Sequence, residues 1–163
     1  MIKSEKTSSY QPDKTDKKIL ELLQNDAKMT SKQIAHHLGL TQTPVFDRIK
    51  RLEKNGIIAK YVAILNKEKI GKNLIAFCNV SLKEHSKAII RQFEEEIIQL
   101  PEVLECHHIA GMYDYMLKII TDDMEAYHQF IYNKLSSIDN IGNVQSSFVM
   151  NEIKCSTSFK LCY

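Results

Sequence analysis

Apolar positions in the front part of the chain recur at helical spacing, and those behind it mix helical spacing with alternation. Ile19, Leu20, Leu22 and Leu23 give one apolar face. Asp13 stands where a helix cap is needed, and Asp16 falls near the positive end of that helix. Asn25-Asp26 ends it. Thr30 and Gln33 form a capping-box pair ahead of a short helix, Ser31 to Leu38, with Ile34, Ala35 and Leu38 inward. Gly39 closes it where a left-handed residue is wanted. Thr41 is expected to cap a third helix with Pro44 in its first turn, where an absent N–H costs little. Val45, Ile49 and Leu52 then repeat on one face until Gly56. Residues 57–65, IIAKYVAIL, are rich in β-branched and aromatic types and predict a strand or short hairpin.

After a linker at residues 66–73 the pattern changes. LIAFCNVSL from Leu74 is a strand with apolar residues on both faces, so both faces are expected to be covered. Ser86 to Leu100 is helical, with Ile89, Phe93, Ile97 and Leu100 as its stripe. Strands follow over residues 103–110 and 114–121, separated by a turn at Gly111, Met112 and Tyr113. A helix over Met124 to Leu135 and a last strand over 144–154 complete the order β-α-β-β-α-β. That order folds as an antiparallel sheet with both helices on one face. The bare face needs a cover, and a second copy of the domain is the simplest one. The predicted class is therefore α+β. Residues 1–12 form a flexible tail, 13–65 the first domain and 74–163 the second.

The net charge of +2 conceals an asymmetry. Residues 1–65 hold 12 Lys and Arg against 7 Asp and Glu, and residues 66–163 hold 10 against 13. A basic front half suits phosphate contacts, since lysines and arginines release DNA counterions. No apolar run approaches the ~20 residues of a membrane span. The opening residues MIKSEKTSSYQPDK lack the apolar centre of a secretory signal, so the cytoplasm is the expected location. Cys78, Cys106, Cys155 and Cys162 lie far apart with no C-x-x-C pair, which predicts reduced thiols and no metal. Oxidation would allow Cys155 and Cys162 to cross-link.

Ala35, Gly39 and Val45 have the spacing of a helix-turn-helix. The small alanine admits the next helix, the glycine makes the turn, and the valine anchors the third helix. Gln42, Thr43 and Asp47 then become candidates for base edges. Arg48, Lys50, Arg51 and Lys54 become candidates for phosphates, joined by Ser31, Lys32, Thr41 and Lys60. The competing explanation is a plain three-helix bundle with a solvated basic face. Two capped helices, the glycine turn and the front-half charge together favour DNA reading.

With these residues in view the chain resembles the Lrp/AsnC (feast/famine) transcriptional regulators, most of all their leucine-responsive branch. The likeness runs from about Asp13 to Lys154. In front it rests on DKTDKKILELLQNDAKMTSKQIAHHLGLTQTPVFDRIKRLEKNGIIAKYVAILN. Behind, it rests on PEVLECHHIAGMYDYMLKI, DMEAY and FVMNEIK. The resemblance implies a winged helix-turn-helix joined to a ferredoxin-like RAM domain, with dimers formed through the RAM sheet and often assembled into rings of eight. It also implies an amino-acid effector bound where dimers meet, and no other cofactor. The family's G-x-x-D turn is here Gly111, Met112, Tyr113 and Asp114. A glycine turn can offer N–H groups to a carboxylate, and Asp114 can pair with an ammonium. Asp123, Met124, Ser146, Ser147 and Phe148 are further candidates for the pocket. Taken alone, the turn reads as an ordinary β-turn with a structural aspartate.

Other arrangements carry less. His36-His37 read as a solvated pair, and His107 and His108 on one strand point to opposite faces. His85 and His128 stand alone. Glu94-Glu95-Glu96 read as the solvated side of a helix. A sirohaem decarboxylase-like enzyme shares the architecture and would use a strand histidine as its acid, but the basic third helix argues for DNA. A standalone effector-sensing module conflicts with the complete front half.

Overall fold

The computed structural model describes residues 10–161. Two compact units divide the chain. One holds the residues up to Ile64 together with those from Lys154 onward, and the other is Leu65–Ile153. No helix among the described residues is long and apolar enough to cross a membrane.

The first unit is built on α1 (Lys14–Asn25), α2 (Ser31–Leu38) and α3 (Gln42–Lys54). Two reciprocal capping boxes start the first two helices. Asp16 N donates to Asp13 Oδ1 at 2.8 Å while Asp13 N donates to Asp16 Oδ2 at 3.1 Å, and Thr30 and Gln33 do the same for α2. Gly39 takes φ +65°, and Leu40 N closes the turn on Ala35 O at 2.9 Å. Ile19, Leu23, Ile34, Ala35, Val45 and Leu52 form the core.

Four expectations for this unit change. Thr41 is the residue before α3, but its side chain makes no capping hydrogen bond. Residues 57–65 form no strand. Among the described residues no strand pairs with them, and Tyr61, Val62, Ile64 and Leu65 are exposed. Of the expected tail, residues 1–9 lie outside the described residues, and Tyr10 is anchored: its hydroxyl donates to Asp16 and its ring lies 4.9 Å from the Arg51 guanidinium. Residues 154–161, finally, expected in the second domain, cluster with this unit by contact. Gln24 Nε2 donates to Phe159 O at 3.2 Å, and Phe159 N donates back to Gln24 Oε1 at 3.0 Å. Leu161 N adds a bond to Glu21 Oε1 at 3.4 Å. Phe159 and Leu161 thereby line a groove with Leu20, Leu23, Ala27 and Ile57. Cys155 is exposed, and Cys162 lies outside the described residues.

The second unit runs β1 (Leu74–Leu82), α4 (Lys87–Ile97), β2 (Val103–His108), β3 (Tyr115–Thr121), α5 (Met124–Asn133) and β4 (Ile141–Phe148). The strands form one antiparallel sheet in the order β2-β3-β1-β4. Ala76, Cys78, Val80, Leu82, Tyr115, Leu117 and Ile119 line one face of it. Phe93 and Ile97 of α4 and Tyr127 and Phe130 of α5 pack over them in a single core. Alternation puts Phe77, Met116, Ile120 and Ser147 on the other face, away from α4 and α5. The last strand ends at Phe148, short of the expected Lys154, because the β1–β4 ladder stops at the pair Ala76–Phe148. Both helices are likewise shorter than their apolar stripes. Ile98–Leu100 forms a turn after α4, and Leu135 opens a 3₁₀ turn after α5.

Candidate nucleic-acid interface and ligand turn

On α3 the two faces separate. Val45 and Leu52 are fully buried, whereas Gln42, Thr43, Asp47, Lys50, Arg51 and Lys54 are exposed. Gln42 Nε2 donates to Ser31 Oγ at 3.4 Å, which brings the N-terminal ends of α2 and α3 together. Both ends carry unsatisfied N–H groups and partial positive charge. Lys32, Thr41 and Lys60 are exposed as well, Lys60 along the groove that Leu20, Leu23 and Phe159 line. Lys50 Nζ pairs with Glu53 Oε2 at 2.9 Å, a surface contact three residues along the helix that a phosphate can displace.

Arg48 is placed differently from its neighbours. Its Nη1 lies 2.6 Å from Asp13 Oδ2 and 2.7 Å from Asp16 Oδ1, and Asp16 is fully buried. These two carboxylates raise the guanidinium pKa further. The Asp13 carboxyl is in turn held below its usual range, first by the Asp16 N–H and then by Arg48. Arg48 therefore ties α3 to the start of α1, which sets it apart from the other phosphate candidates of the helix. Arg51 is intermediate. It stands 3.7 Å from Asp16 and donates from Nε to the Tyr10 hydroxyl at 3.0 Å, but remains 47% exposed. Sequence patterns pointed to Asp16 only as a helix-end charge. Nothing in its spacing announced a buried carboxyl shared by Tyr10, Arg48 and Arg51. Phe46, 49% exposed on α3, was also missed, because an apolar residue beside Val45 reads as core.

In the second unit Gly111 takes φ +156°, and Ile109 N donates to Asp114 O at 2.8 Å across the turn. Asp114 Oδ2 accepts from Leu82 N at 2.8 Å, and Oδ1 lies 2.9 Å from His85 Nε2. The β1–β4 register shifts between Ser81 and Leu82. The carboxylate thus takes up an N–H where the ladder is irregular, and that bond more than His85 holds its pKa low. Met112 is 86% exposed, and Tyr113 donates its hydroxyl to Gln145.

The remaining candidates do not join that turn within one chain. Asp123 caps α5 by accepting from Ala126 N at 2.8 Å, and Met124 is exposed beside it. They follow β3, whereas the turn precedes it, which separates them by about 20 Å at roughly 3.3 Å per residue. Phe148 sits at the Asp123 end, with its ring 5.0 Å from that of Tyr127, edge to face. Ser146 faces the core, where the Tyr127 hydroxyl donates to it and the Cys78 thiol approaches both at 3.0 and 3.2 Å. Ser147, paired with Phe77, is on the open sheet face.

The histidines are accounted for locally. His107 contacts Glu105 at 3.2 Å, and His108 stacks on Tyr115 at 4.7 Å. Glu94, expected to be solvated, accepts from the Tyr115 hydroxyl at 3.0 Å. Among the described residues no three His, Cys, Asp or Glu side chains could hold a metal ion.

Residues 12–59 match the model of a winged helix-turn-helix DNA-binding domain, and residues 75–159 match that of the Lrp/AsnC ligand binding domain. The chain is 38% identical over 149 residues to the DNA-binding transcriptional activator DecR of Escherichia coli K12, covering 91% of this chain and 98% of the relative. It is 31% identical over 154 residues to the leucine-responsive regulatory protein of the same organism, covering 94% of each. A transcriptional regulator of Neisseria meningitidis, solved as its L-Met complex, superposes with a TM-score of 0.87 at 37% identity, covering 90% of this chain and 95% of that one. A helix-turn-helix with one face in the core and one basic face outward, followed by a four-stranded ligand-binding domain, places this chain in the Lrp/AsnC family of DNA-binding transcriptional regulators.

Proposed function

We propose that α3 reads DNA with Gln42, Thr43 and Asp47 on base edges and with Lys50, Arg51 and Lys54 on phosphates. Ser31, Lys32, Thr41 and Lys60 extend the phosphate contacts. One observation carries this assignment: Val45 and Leu52 are fully buried while the outward positions of the same helix stay exposed. The open face of the sheet meets a second copy, and dimers assemble further, as rings of eight. The effector is an amino acid. Gly111–Asp114 and the Asp123, Met124 and Phe148 group lie at opposite ends of β3, so one chain does not close a pocket around both. A cleft between copies, taking the turn from one and the start of α5 from another, accommodates both. Such a ligand alters promoter affinity only by preferring one assembly over another. A regulator of this kind acts at the nucleoid in the cytoplasm and performs no catalysis.

The DNA assignment is tested by the salt dependence of binding to a selected duplex. Lys50→Ala and Lys54→Ala should each lower the slope of log K against log salt by about 1. Arg48→Ala should instead lower the melting temperature and leave the slope unchanged. Lysine variants with wild-type slopes refute the assigned face. For the effector, a thermal-shift screen against the twenty amino acids should find at least one that stabilises the full chain, with particle mass reporting dimers and larger species. A chain that stays monomeric at micromolar concentration and answers to no amino acid contradicts the assembly and effector readings.

A further inference from the structure

Phe46 is a large apolar side chain on the outward side of α3, 49% exposed. It takes no part in the first unit's core cluster, which does include the neighbouring positions Val45 and Ile49. Three residues before it stands Thr43, and four after it Lys50, so Phe46 shares a helix face with both. A cation stands over its ring: Lys50 Nζ lies 5.7 Å from the centroid. About half of the phenyl group thus stands in solvent on the outward face of the helix. In a major groove it has one apolar partner to meet, the C5 methyl group of thymine, which base pairs display there and uracil lacks.

We propose that Phe46 is a specificity-determining residue, selecting a thymine in each half-site by packing its ring on the C5 methyl group. Lys50 keeps the ring within reach of the adjoining backbone by holding a phosphate next to it. The proposal rests on the assignment of α3 as the reading helix. It adds an apolar preference that Gln42 and Asp47, which read by hydrogen bonds, do not supply.

The experiment uses the full chain and a duplex selected by it from a randomised library. Each thymidine of that duplex is replaced in turn by deoxyuridine, which removes one methyl group and leaves base pairing intact. For the wild-type chain, one replacement per half-site should weaken binding about fourfold, the ratio for burying one methyl-sized group. Phe46→Ala should bind the parent duplex correspondingly less well and be indifferent to that replacement. Phe46→Leu, still apolar, should retain part of the penalty. Phe46→Ala leaves the fully buried Val45 and Leu52 in place, and binding is compared at a temperature well below the melting point of each chain. The proposal is overturned if no deoxyuridine replacement weakens the wild type. It is overturned equally if Phe46→Ala shows the wild-type pattern of penalties. In the second case, loss of affinity in Lys50→Ala would leave the reading helix standing while removing Phe46 from it.

Discussion

Asp114 carries two demands on one carboxylate. Within the chain it accepts from Leu82 N and faces His85. As a ligand group it would also receive an ammonium, for which its oxygens retain lone pairs. An Asp114→Ala chain should therefore lose stability as well as any effector response, by about 1–2 kcal/mol at neutral pH for the orphaned Leu82 N–H. The pH dependence has a definite sign. The folded state holds the carboxyl pKa below its usual value, mainly through the Leu82 N–H. The folded state thus favours the ionised form. Its contribution is complete above the ordinary aspartate value of about 3.9 and fades as pH falls through the lowered one. Urea unfolding of both chains should give a difference that shrinks below about pH 4. A gap that is constant down to strongly acid pH would show that the charge plays no part.

At the scale of elements, the turn between α2 and α3 fixes how the reading helix leaves its predecessor. Gly39 has φ +65° and open space where a Cβ would sit, so substitution there meets backbone strain and no collision. Gly39→Ala should cost roughly 1–2 kcal/mol, and Gly39→Asn less, since asparagine tolerates the left-handed region. Chemical denaturation of the two variants checks the order, and equal losses would argue against strain as the cause. Turns, caps and core stripes of this kind were legible because each is written in neighbouring residues: Thr30 with Gln33, Ala35 with Gly39, Val45 with Leu52. The six-element order behind Leu74 was legible for the same reason. What stayed hidden depends on distant residues. Nothing local to Arg48 says that Asp13 and Asp16 will meet it, and nothing in IIAKYVAIL says that it will pair with no strand among the described residues. The candidate ligand residues were identified as one set, yet strand length alone divides them between two ends of a sheet.

At the scale of the molecule, the first unit is discontinuous in sequence, completed by residues that follow the whole of the second. The contribution of that returning segment can be measured. A chain stopped after Ile153 loses the paired Gln24–Phe159 hydrogen bonds, both in exposed positions. About 1 kcal/mol is at stake. Amides of α1 should then exchange with solvent about fivefold faster, while those of β1 and β3 keep their rates. Uniform acceleration across both units would deny the segment a local role.

The return of residues 154–161 to α1 also sets an order of events during synthesis. A ribosome adds roughly 5–20 residues per second, and domains usually fold as they emerge, the first before the second. Here α1, α2 and α3 emerge first with their hydrophobic centre complete. The flank of α1 that receives Phe159 and Leu161 waits until all of Leu65–Ile153 has been made. For those seconds Leu20, Leu23 and Ile57 stand on one side of a groove whose other side, Phe159 and Leu161, has not been made, so a nascent regulator presents to chaperones a broader apolar flank than the finished one.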